Sequence, residues 1–233
     1  MEAISLFVQP HPVLKKAVDG MIRSGRVPYD TLKYDSGQYL FREGEATSKT
    51  YLLNRGLVRL FSNNQDGNSK TVFFYKAGSL IGFQKLQRVK ERWPSILNAK
   101  ATTKCEVYVL AADDFIAALK EDGEACFALS QYLFEQLALQ TRESVNTSIY
   151  SVLQRFAALL LMLSKEFGAM QAPAIIPFTN DELAEMLGVH VNSITNSINA
   201  LRKSECVEKR RSTLIVIDFE KLHSVAENLV SKG

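Results

Sequence analysis

A short stretch near the C-terminal end of this 233-residue chain concentrates uncharged polar side chains. Amide side chains can form two hydrogen bonds with the edge of adenine, and hydroxyl groups can contact bases or phosphates. The candidates for base contacts are Asn192, Ser193, Thr195, Asn196 and Asn199. Their spacing predicts one polar face of a helix, and that face carries no charge.

Basic residues follow this polar face and would strengthen binding to a phosphate backbone. They are Arg202, Lys203, Lys209, Arg210 and Arg211, and a predicted β-hairpin over residues 206–222 holds the last three in its turn. Phosphate contacts raise affinity without selecting a base sequence. The alternative is a solvated face on a packing helix, beside a turn that is charged only for solubility. The helix and the cluster together favour DNA binding.

A pair of helices is predicted to position these side chains. Thr179 followed by Glu182 is a capping box, which starts a first helix over residues 180–187. Gly188 then allows a tight turn between the two helices. Thr179, at the start of the pair, is itself a candidate DNA contact.

The second helix of the pair is expected to be capped by His190 or Asn192. Ile194, Ile198 and Leu201 recur at helical spacing and predict its buried face. The polar residues are therefore turned outward, and His190 joins them as a candidate DNA contact.

Glycines recur about every eleven residues in the first half of the chain, at Gly44, Gly56, Gly67 and Gly78. This spacing is typical of short strands joined by turns. Asp66 before Gly67 predicts a hairpin turn. Strand-like runs lie around the glycines at residues 50–62, 69–76, 78–82, 99–103 and 105–110. The first half is therefore predicted to be a β-sandwich or barrel.

Helical patterns replace the strands after residue 110. Asp113 is expected to cap a short helix that ends at Leu119, and Asp122 with Gly123 to open a long helix through residue 150. A second helix follows from Ser151. The long helix carries a semi-apolar stripe of Phe127, Ser130, Leu133 or Phe134, Leu137, Thr141, Ser144 or Val145, and Ser148. The stripe either seals against a second copy of the chain or packs on the barrel.

The composition is that of an ordinary globular protein, with 46% hydrophobic and 23% charged residues. The longest apolar run, residues 157–163, is much shorter than the roughly 20 residues that span a bilayer, and the N-terminus has no basic segment before an apolar one. We therefore expect a cytoplasmic protein with no membrane partner. From Ser151 onward nine Lys and Arg balance nine Asp and Glu, so nucleic-acid binding must depend on local patches.

No catalytic or cofactor-binding set stands out in the sequence. Cys105, Cys126 and Cys206 are widely spaced and form no C-x-x-C pair. We expect three reduced core thiols rather than a redox switch or a metal site, and little that could ligate haem or an iron–sulfur cluster. Ser-His-Asp, Cys-His and P-loop patterns are absent as well. The chain is therefore expected to be no enzyme and to carry no cofactor.

Two segments resemble the superfamily of the catabolite activator protein and the fumarate and nitrate reduction regulator (Crp/Fnr). They read FREGEATSKTYLLNRGLVRLF at residues 41–61 and NDELAEMLGVHVNSITNSINALRK at residues 180–203. The resemblance implies an α+β fold. Its parts are a cyclic-nucleotide-binding-like β-barrel (a double-stranded jelly roll) at residues 1–121, a long dimerisation helix at 122–150, and a C-terminal winged helix-turn-helix at 151–233.

The resemblance also implies a function in transcription regulation. A homodimer would bind double-stranded DNA at a two-fold operator under the control of a small-molecule effector, with RNA polymerase as a further candidate partner. The uncharged reading helix leaves an alternative open, an effector-independent or degenerate member that acts mainly through protein partners.

The barrel sequence departs from the nucleotide-binding members of the family. Those members carry a Gly-Glu pair for the ribose and a later Arg-Ser/Thr-Ala for the phosphate. Here Phe83 follows Gly82, and Asn98 stands near the position of the arginine. A buried phosphate without a bidentate guanidinium is poorly held. The sequence therefore argues against cyclic AMP as the effector.

The reading helix departs from the family as well. Many members carry an Arg-Glu-Thr-Val-x-Arg run there, whereas residues 191–196 of this chain read VNSITN. Both arginines that would hold guanine are absent, which predicts a different operator and weaker binding.

An insert over residues 87–97 is a candidate lid over the barrel mouth, although an exposed charged loop is the alternative. Lys85 or Arg88 would hold an anion and Trp93 an aromatic ring. Residues 79–82 are similar to regulators of halorespiring bacteria that respond to chlorinated aromatic acids. With the two long-helix positions that the resemblance implies, the candidate effector contacts are Phe83, Gln84, Lys85, Trp93, Asn98, Lys100, Gln140 and Thr141.

Overall fold

The computed structural model describes residues 6–46, 48–64, 68–83, 94–167, 171–210 and 213–227. These residues form two compact units. One unit comprises Leu6–Ser62 and Thr71–Ala138, and the other comprises Asn63–Lys70 and Leu139–Gly233. Each unit has its own core.

The first unit is built from two β-sheets, as the glycine spacing predicted. One sheet has the strand order β1-β6-β5-β8-β3 and the other the order β2-β9-β4-β7. The strands are β1 (Phe7–Val8), β2 (Tyr29–Tyr34), β3 (Tyr39–Phe41), β4 (Lys49–Arg55), β5 (Leu57–Asn63), β6 (Ser69–Lys76), β7 (Leu80–Ile81), β8 (Asn98–Ala101) and β9 (Cys105–Ala111). The helices are α1 (Pro12–Arg23), α2 (Ala112–Lys120) and the first part of α3 (Gly123–Ile149).

Alternating burial explains why these segments form strands. In β9, Cys105, Val107 and Val109 are buried, while Glu106 and Tyr108 between them are partly exposed. A period of two buries one face of a strand and leaves the other toward solvent. Gly82 ends β7 at a φ of +90°, with the position of a Cβ only 3.0 Å from the Lys49 carbonyl oxygen. A glycine is therefore required at this turn.

The hairpin turn predicted at Asp66 and Gly67 lies outside the described residues. The residues beside it do close a hairpin, because the Asn64 N–H donates to the Asn68 carbonyl at 2.9 Å. The Asn68 N–H in turn donates to Asn64 Oδ1 at 2.9 Å.

Helix α1 was not predicted, although its sequence carries the usual signals. His11 accepts a hydrogen bond from the Leu14 N–H, and Pro12 occupies the first helical position. Leu14, Val18 and Met21 are buried at spacings of four and three residues. A Pro after a capping residue, followed by such spacing, is a helix start that could have been recognised.

The prediction that Asp113 caps α2 is wrong. The capping position is Ala111, which makes no side-chain hydrogen bond, and Asp113 lies inside the first turn. Strand β9 runs directly into the helix, so the chain reaches helical geometry before Asp113. The predicted start of α3 is confirmed, because Asp122 Oδ1 accepts from the Ala125 N–H at 3.0 Å.

The second unit holds the helix pair and a small sheet. Its elements are the end of α3, α4 (Val152–Glu166), β10 (Ala174–Ile176), α5 (Asn180–Leu187), α6 (Val191–Lys203), β11 (Val207–Arg210), β12 (Thr213–Val216) and α7 (Phe219–Glu227). Helix α4 supplies much of the core with Phe156, Leu159, Leu160 and Leu163. It packs against α6 and α7 and is capped by Ser151 with Gln154.

Two elements of this unit were missed by the sequence analysis. Strand β10 adds a third strand to the predicted hairpin, in the order β10-β12-β11. Only three residues long and flanked by Pro173 and Pro177, it shows no alternation from which a strand could be recognised. Helix α7 begins within the segment taken for a hairpin strand and buries Leu222 and Ala226.

The expectation of three core thiols is only partly right. Cys105 and Cys206 are buried, and burial raises the pKa of each thiol. Cys126 is exposed, because it lies on α3 beside Phe127, on a side of the helix that the described residues leave uncovered. No described helix is both long and apolar enough to cross a membrane.

Candidate nucleic-acid interface and sensor site

The first helix of the pair begins where the capping box placed it. The Glu182 N–H donates to Thr179 Oγ1 at 3.2 Å, and the Thr179 N–H donates to Glu182 Oε2 at 2.8 Å. Gly188 ends the helix at a φ of +64°, a backbone conformation that residues other than glycine rarely adopt. The Val189 N–H donates back to the Ala184 carbonyl at 3.1 Å and closes the turn.

The second helix, α6, presents the predicted polar face. His190 Nδ1 accepts from the Asn192 N–H at 3.2 Å, so His190 is the cap. Ile194, Ile198 and Leu201 are buried as predicted. The residues Asn192, Thr195, Asn196 and Asn199 are exposed, and Ser193 is half-buried. The predicted orientation therefore holds for four of these residues fully and for Ser193 in part.

Three amides on this face are free to meet a ligand. Asn192, Asn196 and Asn199 follow one another at four and three residues and so lie on one side of α6. Within the described parts of the chain, none of their amides makes a hydrogen bond with another protein group. The hydroxyl of Thr195, by contrast, donates to the Val191 carbonyl at 3.2 Å. The three amides are therefore available for hydrogen bonds with a ligand.

The basic residues are divided between the end of α6 and the sheet. Arg202 and Lys203 occupy the last turn of α6 and are exposed. Lys209 and Arg210 end strand β11, so the prediction that the hairpin turn holds them is wrong. Arg210 pairs with Thr213 of β12, so Lys209 and Arg210 both belong to the paired strands. Arg211 lies outside the described residues.

Two of these cations already have polar neighbours. Arg210 Nη2 lies 2.9 Å from Glu208 Oε2, and Lys209 Nζ donates to Asn180 Oδ1 at 3.4 Å. Both side chains are exposed, so these contacts are weak and can be exchanged for phosphate.

A groove of 1010 Å³ connects the end of α6 with β11 and the start of α7. Its polar lining combines Asn199, Arg202, Lys203, Lys209 and Lys221 with Glu205, Glu208 and Asp218. Lys221 is paired with Glu205 at 2.9 Å. Arg202 and Lys203, which form no ion pair with the described residues, lie at the α6 side of the groove together with Asn199.

In the barrel unit, Phe83 lies against an aromatic side chain of α3. Its ring centroid is 6.0 Å from that of Tyr132, in an edge-to-face arrangement. The Tyr132 hydroxyl donates to the Leu80 carbonyl at 3.0 Å. Nearby in α3, Gln136 accepts from the Tyr75 hydroxyl. Burial raises the pKa of both phenols, so they stay protonated and act as neutral donors.

The two predicted effector residues of β8 have other neighbours. Asn98 is buried, and its Oδ1 accepts from the Glu43 N–H at 3.1 Å. Lys100 is half-buried, with Nζ 5.7 Å from the centre of the Tyr39 ring. Phe83 contacts Tyr132 instead, so the described contacts do not bring Phe83 and Lys100 together.

The remaining effector candidates are less well defined. Gln84, Lys85 and Trp93 lie outside the described residues, as does most of the proposed lid. Gln140 is half-buried and Thr141 exposed on α3. The described residues contain no group of three or more His, Cys, Asp or Glu that could hold a metal ion.

Sequence reasoning missed Tyr132 and Gln136. A signal for them was present, because Ala125, Ala128, Leu129, Tyr132 and Gln136 recur at helical spacing and are all buried. This second stripe faces the barrel core. The longer, exposed stripe lies on the opposite side of α3.

The longer stripe itself is exposed along its whole length. Phe127 is 65% exposed, Phe134 70%, Leu137 61% and Val145 47%. Its polar members Ser130, Thr141, Ser144 and Ser148 are exposed as well. The alternative in which this stripe packs on the barrel is therefore wrong.

Each half of the chain matches a known protein family. Residues 31–122 match the cyclic nucleotide-binding domain, and residues 154–225 match the Crp-like helix-turn-helix domain. The chain is 25% identical over 197 residues to the global nitrogen regulator of Synechococcus elongatus, covering 82% of this chain and 88% of that one. It is 23% identical over 186 residues to the cAMP-activated global transcriptional regulator CRP of Salmonella typhimurium, covering 79% and 88%.

Among solved structures, the chain resembles the c-di-GMP responsive global regulator CLP of Xanthomonas campestris. The TM-score is 0.76 at 20% identity, over 86% of this chain and 99% of that one, which supports the fold. Fold and site define a DNA-binding transcription regulator with an effector-binding domain. The chain belongs to the Crp/Fnr superfamily, whose members are transcription regulators and not enzymes.

Proposed function

We propose that the protein is a homodimeric regulator that reads a two-fold operator through the asparagines of α6. The observation that carries this proposal is the row of free, exposed amides at Asn192, Asn196 and Asn199. Asparagine pairs with the N6 and N7 edge of adenine, so each half-site should be specified by adenines. Thr179, His190, Ser193, Thr195 and the basic residues Arg202, Lys203, Lys209, Arg210 and Arg211 would support these contacts.

The exposed stripe of α3 supports the homodimer. A row of large apolar side chains that includes Phe127, Phe134 and Leu137 leaves more hydrophobic surface open than a single chain needs. Packing against the same stripe of a second copy would bury it on both sides. The two reading helices would then be related by a two-fold axis, with successive major grooves about 34 Å apart.

The effector of the barrel is proposed to be a small molecule other than cyclic AMP. CRP is activated by cAMP and CLP responds to c-di-GMP. The barrel of this chain is therefore compared with a nucleotide-binding site. By the family resemblance, Phe83 puts a ring where nucleotide-binding members carry a carboxylate for the ribose, and that ring lies against Tyr132. An aromatic ligand would stack there at low cost, with Gln84, Lys85, Trp93, Asn98, Lys100, Gln140 and Thr141 as further candidate contacts.

The first test is selection of bound sequences from a random double-stranded DNA pool. The full chain is used, with and without a mixture of aromatic acids. Recovery of a two-fold site with adenines in each half would support the proposal, and dependence on the mixture would support a sensor in the barrel. RNA polymerase recruitment would then be tested on the recovered site.

A matched pair of variants sharpens this selection. Replacement of Asn192, Asn196 and Asn199 by Ala should abolish enrichment, whereas Lys33→Ala on the exposed surface of β2 should leave it unchanged. If the wild-type chain enriches no site in either condition, the proposal fails. A family fold that acts mainly through protein partners would then be the better description.

A further inference from the structure

The C-terminal end of α5 depends on cations supplied by other elements. The last turn of this helix contains no basic residue of its own, although its carbonyl groups carry partial negative charge. The Ala184 carbonyl is satisfied by the Val189 N–H. Two further carbonyls of the last turn, those of Met186 and Leu187, accept hydrogen bonds from Lys70 and Arg155.

Each of these cations also binds α3, so two parallel bridges join α3 to α5. Lys70 Nζ donates to Glu143 Oε1 at 2.8 Å and to the Met186 carbonyl at 3.3 Å. Arg155 Nη1 donates to Thr147 Oγ1 at 3.2 Å and to the Leu187 carbonyl at 3.4 Å. Glu143 and Thr147 are one helical turn apart on the same face of α3. The two bridges therefore hold the C-terminal end of α5, the first helix of the pair, against α3.

The Lys70 bridge is tightly fitted. Its aliphatic stem packs against Gly188, where an added Cβ would lie 2.5 Å from Lys70 Cδ. The second carboxylate oxygen of Glu143, Oε2, is buried and has no hydrogen-bond partner among the described residues. A buried carboxylate that loses its cation is strongly unfavourable. Loss of Lys70 would therefore destabilise this arrangement.

The two bridges differ in where their cations originate. Arg155 belongs to α4, inside the DNA-binding part of the chain. Lys70 belongs to β6, the strand that follows the hairpin at Asn64 and Asn68 and continues into the barrel sheet. Both Lys70 and its partners lie in the same compact unit, together with the hairpin end.

We propose that Lys70 is a latch by which the β5–β6 hairpin holds the reading helices on α3. A shift of β6 would break the contacts of Lys70 with Glu143 and Met186, while the hydrogen bonds of Arg155 would remain. Movement in the barrel would then affect the helix pair α5 and α6 through strand β6 as well as through α3 itself. The regulatory meaning of the latch depends on the proposed function, but the mechanical coupling does not.

The test is amide hydrogen exchange, followed by mass spectrometry, on the full-length protein without DNA. Lys70→Met should accelerate exchange over residues 183–190 by about five-fold or more, since opening there would lose a charged hydrogen bond. Lys70→Arg keeps the cation and should exchange like the wild type. The control is Lys33→Met, because Lys33 is also a strand lysine but has an 80% exposed side chain and only a distant ion pair.

A second variant tests transmission from the hairpin. Asn64→Ala removes the acceptor of the Asn68 N–H and should accelerate exchange over residues 183–190 by a smaller factor. A response to Lys70→Met without any response to Asn64→Ala would make Lys70 a local cap and overturn the coupling. Unchanged exchange in Lys70→Met would overturn the latch altogether. Because no DNA is present, either failure leaves the outcome of the DNA selection untouched.

Discussion

His190 and Asn192 form the hydrogen bond that starts the reading helix: Nδ1 of His190 accepts from the Asn192 N–H at 3.2 Å. The capping residue and the first candidate base contact are thus joined by one hydrogen bond. The position of Asn192 therefore depends on the capping side chain of His190, which is itself a candidate DNA contact.

His190→Ala should therefore reduce both stability and DNA binding. Loss of a side-chain cap costs about 1 kcal/mol of helix stability, which urea unfolding can measure. Fraying of the first turn should weaken binding at the Asn192 position of the selected site more than at the others. His190→Ser retains a capping oxygen and should recover most of both losses. Equal stability of His190→Ala and wild type would contradict a capping role.

Asn196→Ala should relax the preference at one base position in each half-site. A bidentate contact between asparagine and adenine contributes about 1–3 kcal/mol of discrimination, and the hydroxyls beside it cannot replace that contact. The measurement is a repeat of the DNA selection with the variant. The control is Ser197→Ala, whose buried hydroxyl donates to the Ser193 carbonyl and lies on a different face of α6 from the three asparagines. A uniform loss at all positions would instead make Asn196 a phosphate contact.

Replacement of Lys203 and Lys209 by Ala should weaken binding to all DNA sequences alike. Each lost phosphate contact reduces the slope of log affinity against log salt by about 0.9. Titrations at several salt concentrations, on the selected site and on random DNA, measure both effects. Lys33→Ala, which removes a lysine from the barrel surface, serves as the charge control. An unchanged salt slope would remove these two side chains from the interface.

Cyclic AMP should not stabilise the protein. A ligand that binds only the native state raises the melting temperature, by an amount that grows with its concentration over Kd. The Phe83 ring beside Tyr132 supplies no group for a ribose hydroxyl, so we expect no thermal shift at about millimolar nucleotide. A cAMP-activated relative is the positive control. A shift of several degrees would show that other residues hold the nucleotide.

The helix pair could be predicted from the sequence because its signals are local. The capping box of Thr179 and Glu182, the turn at Gly188 and the buried row from Ile194 to Leu201 each act within a few residues. Such interactions specify an element whatever surrounds it.

Helix α1 was missed although its signals are local, but the other missed features depend on distant parts of the chain. Strand β10 exists because it pairs with β12 some forty residues later. The roles of Tyr132 and Gln136 follow from contacts with Leu80 and Tyr75, and the role of Lys70 from a contact with Glu143. Spacing along the chain carries no information about which strand lies opposite. Exposure of Cys126 was missed for the same reason, since it depends on what covers α3.

Charge placed in the exposed stripe of α3 should separate the protein into monomers. Phe134 is 70% exposed and Leu137 61% exposed in the single chain, so Phe134→Glu with Leu137→Glu should leave its fold intact. In a dimer the same carboxylates would be buried opposite their own copies, which repulsion and desolvation make strongly unfavourable. Sedimentation velocity measures the change in mass.

The matched control for this pair is Glu135→Lys, because Glu135 is exposed on α3 between the two positions but turned away from the stripe. It should sediment like the wild type. The monomeric variant should also lose affinity for a two-fold site much more than for a single half-site, since only a dimer holds two reading helices in register. A double variant that stays dimeric would show that the copies meet through another surface.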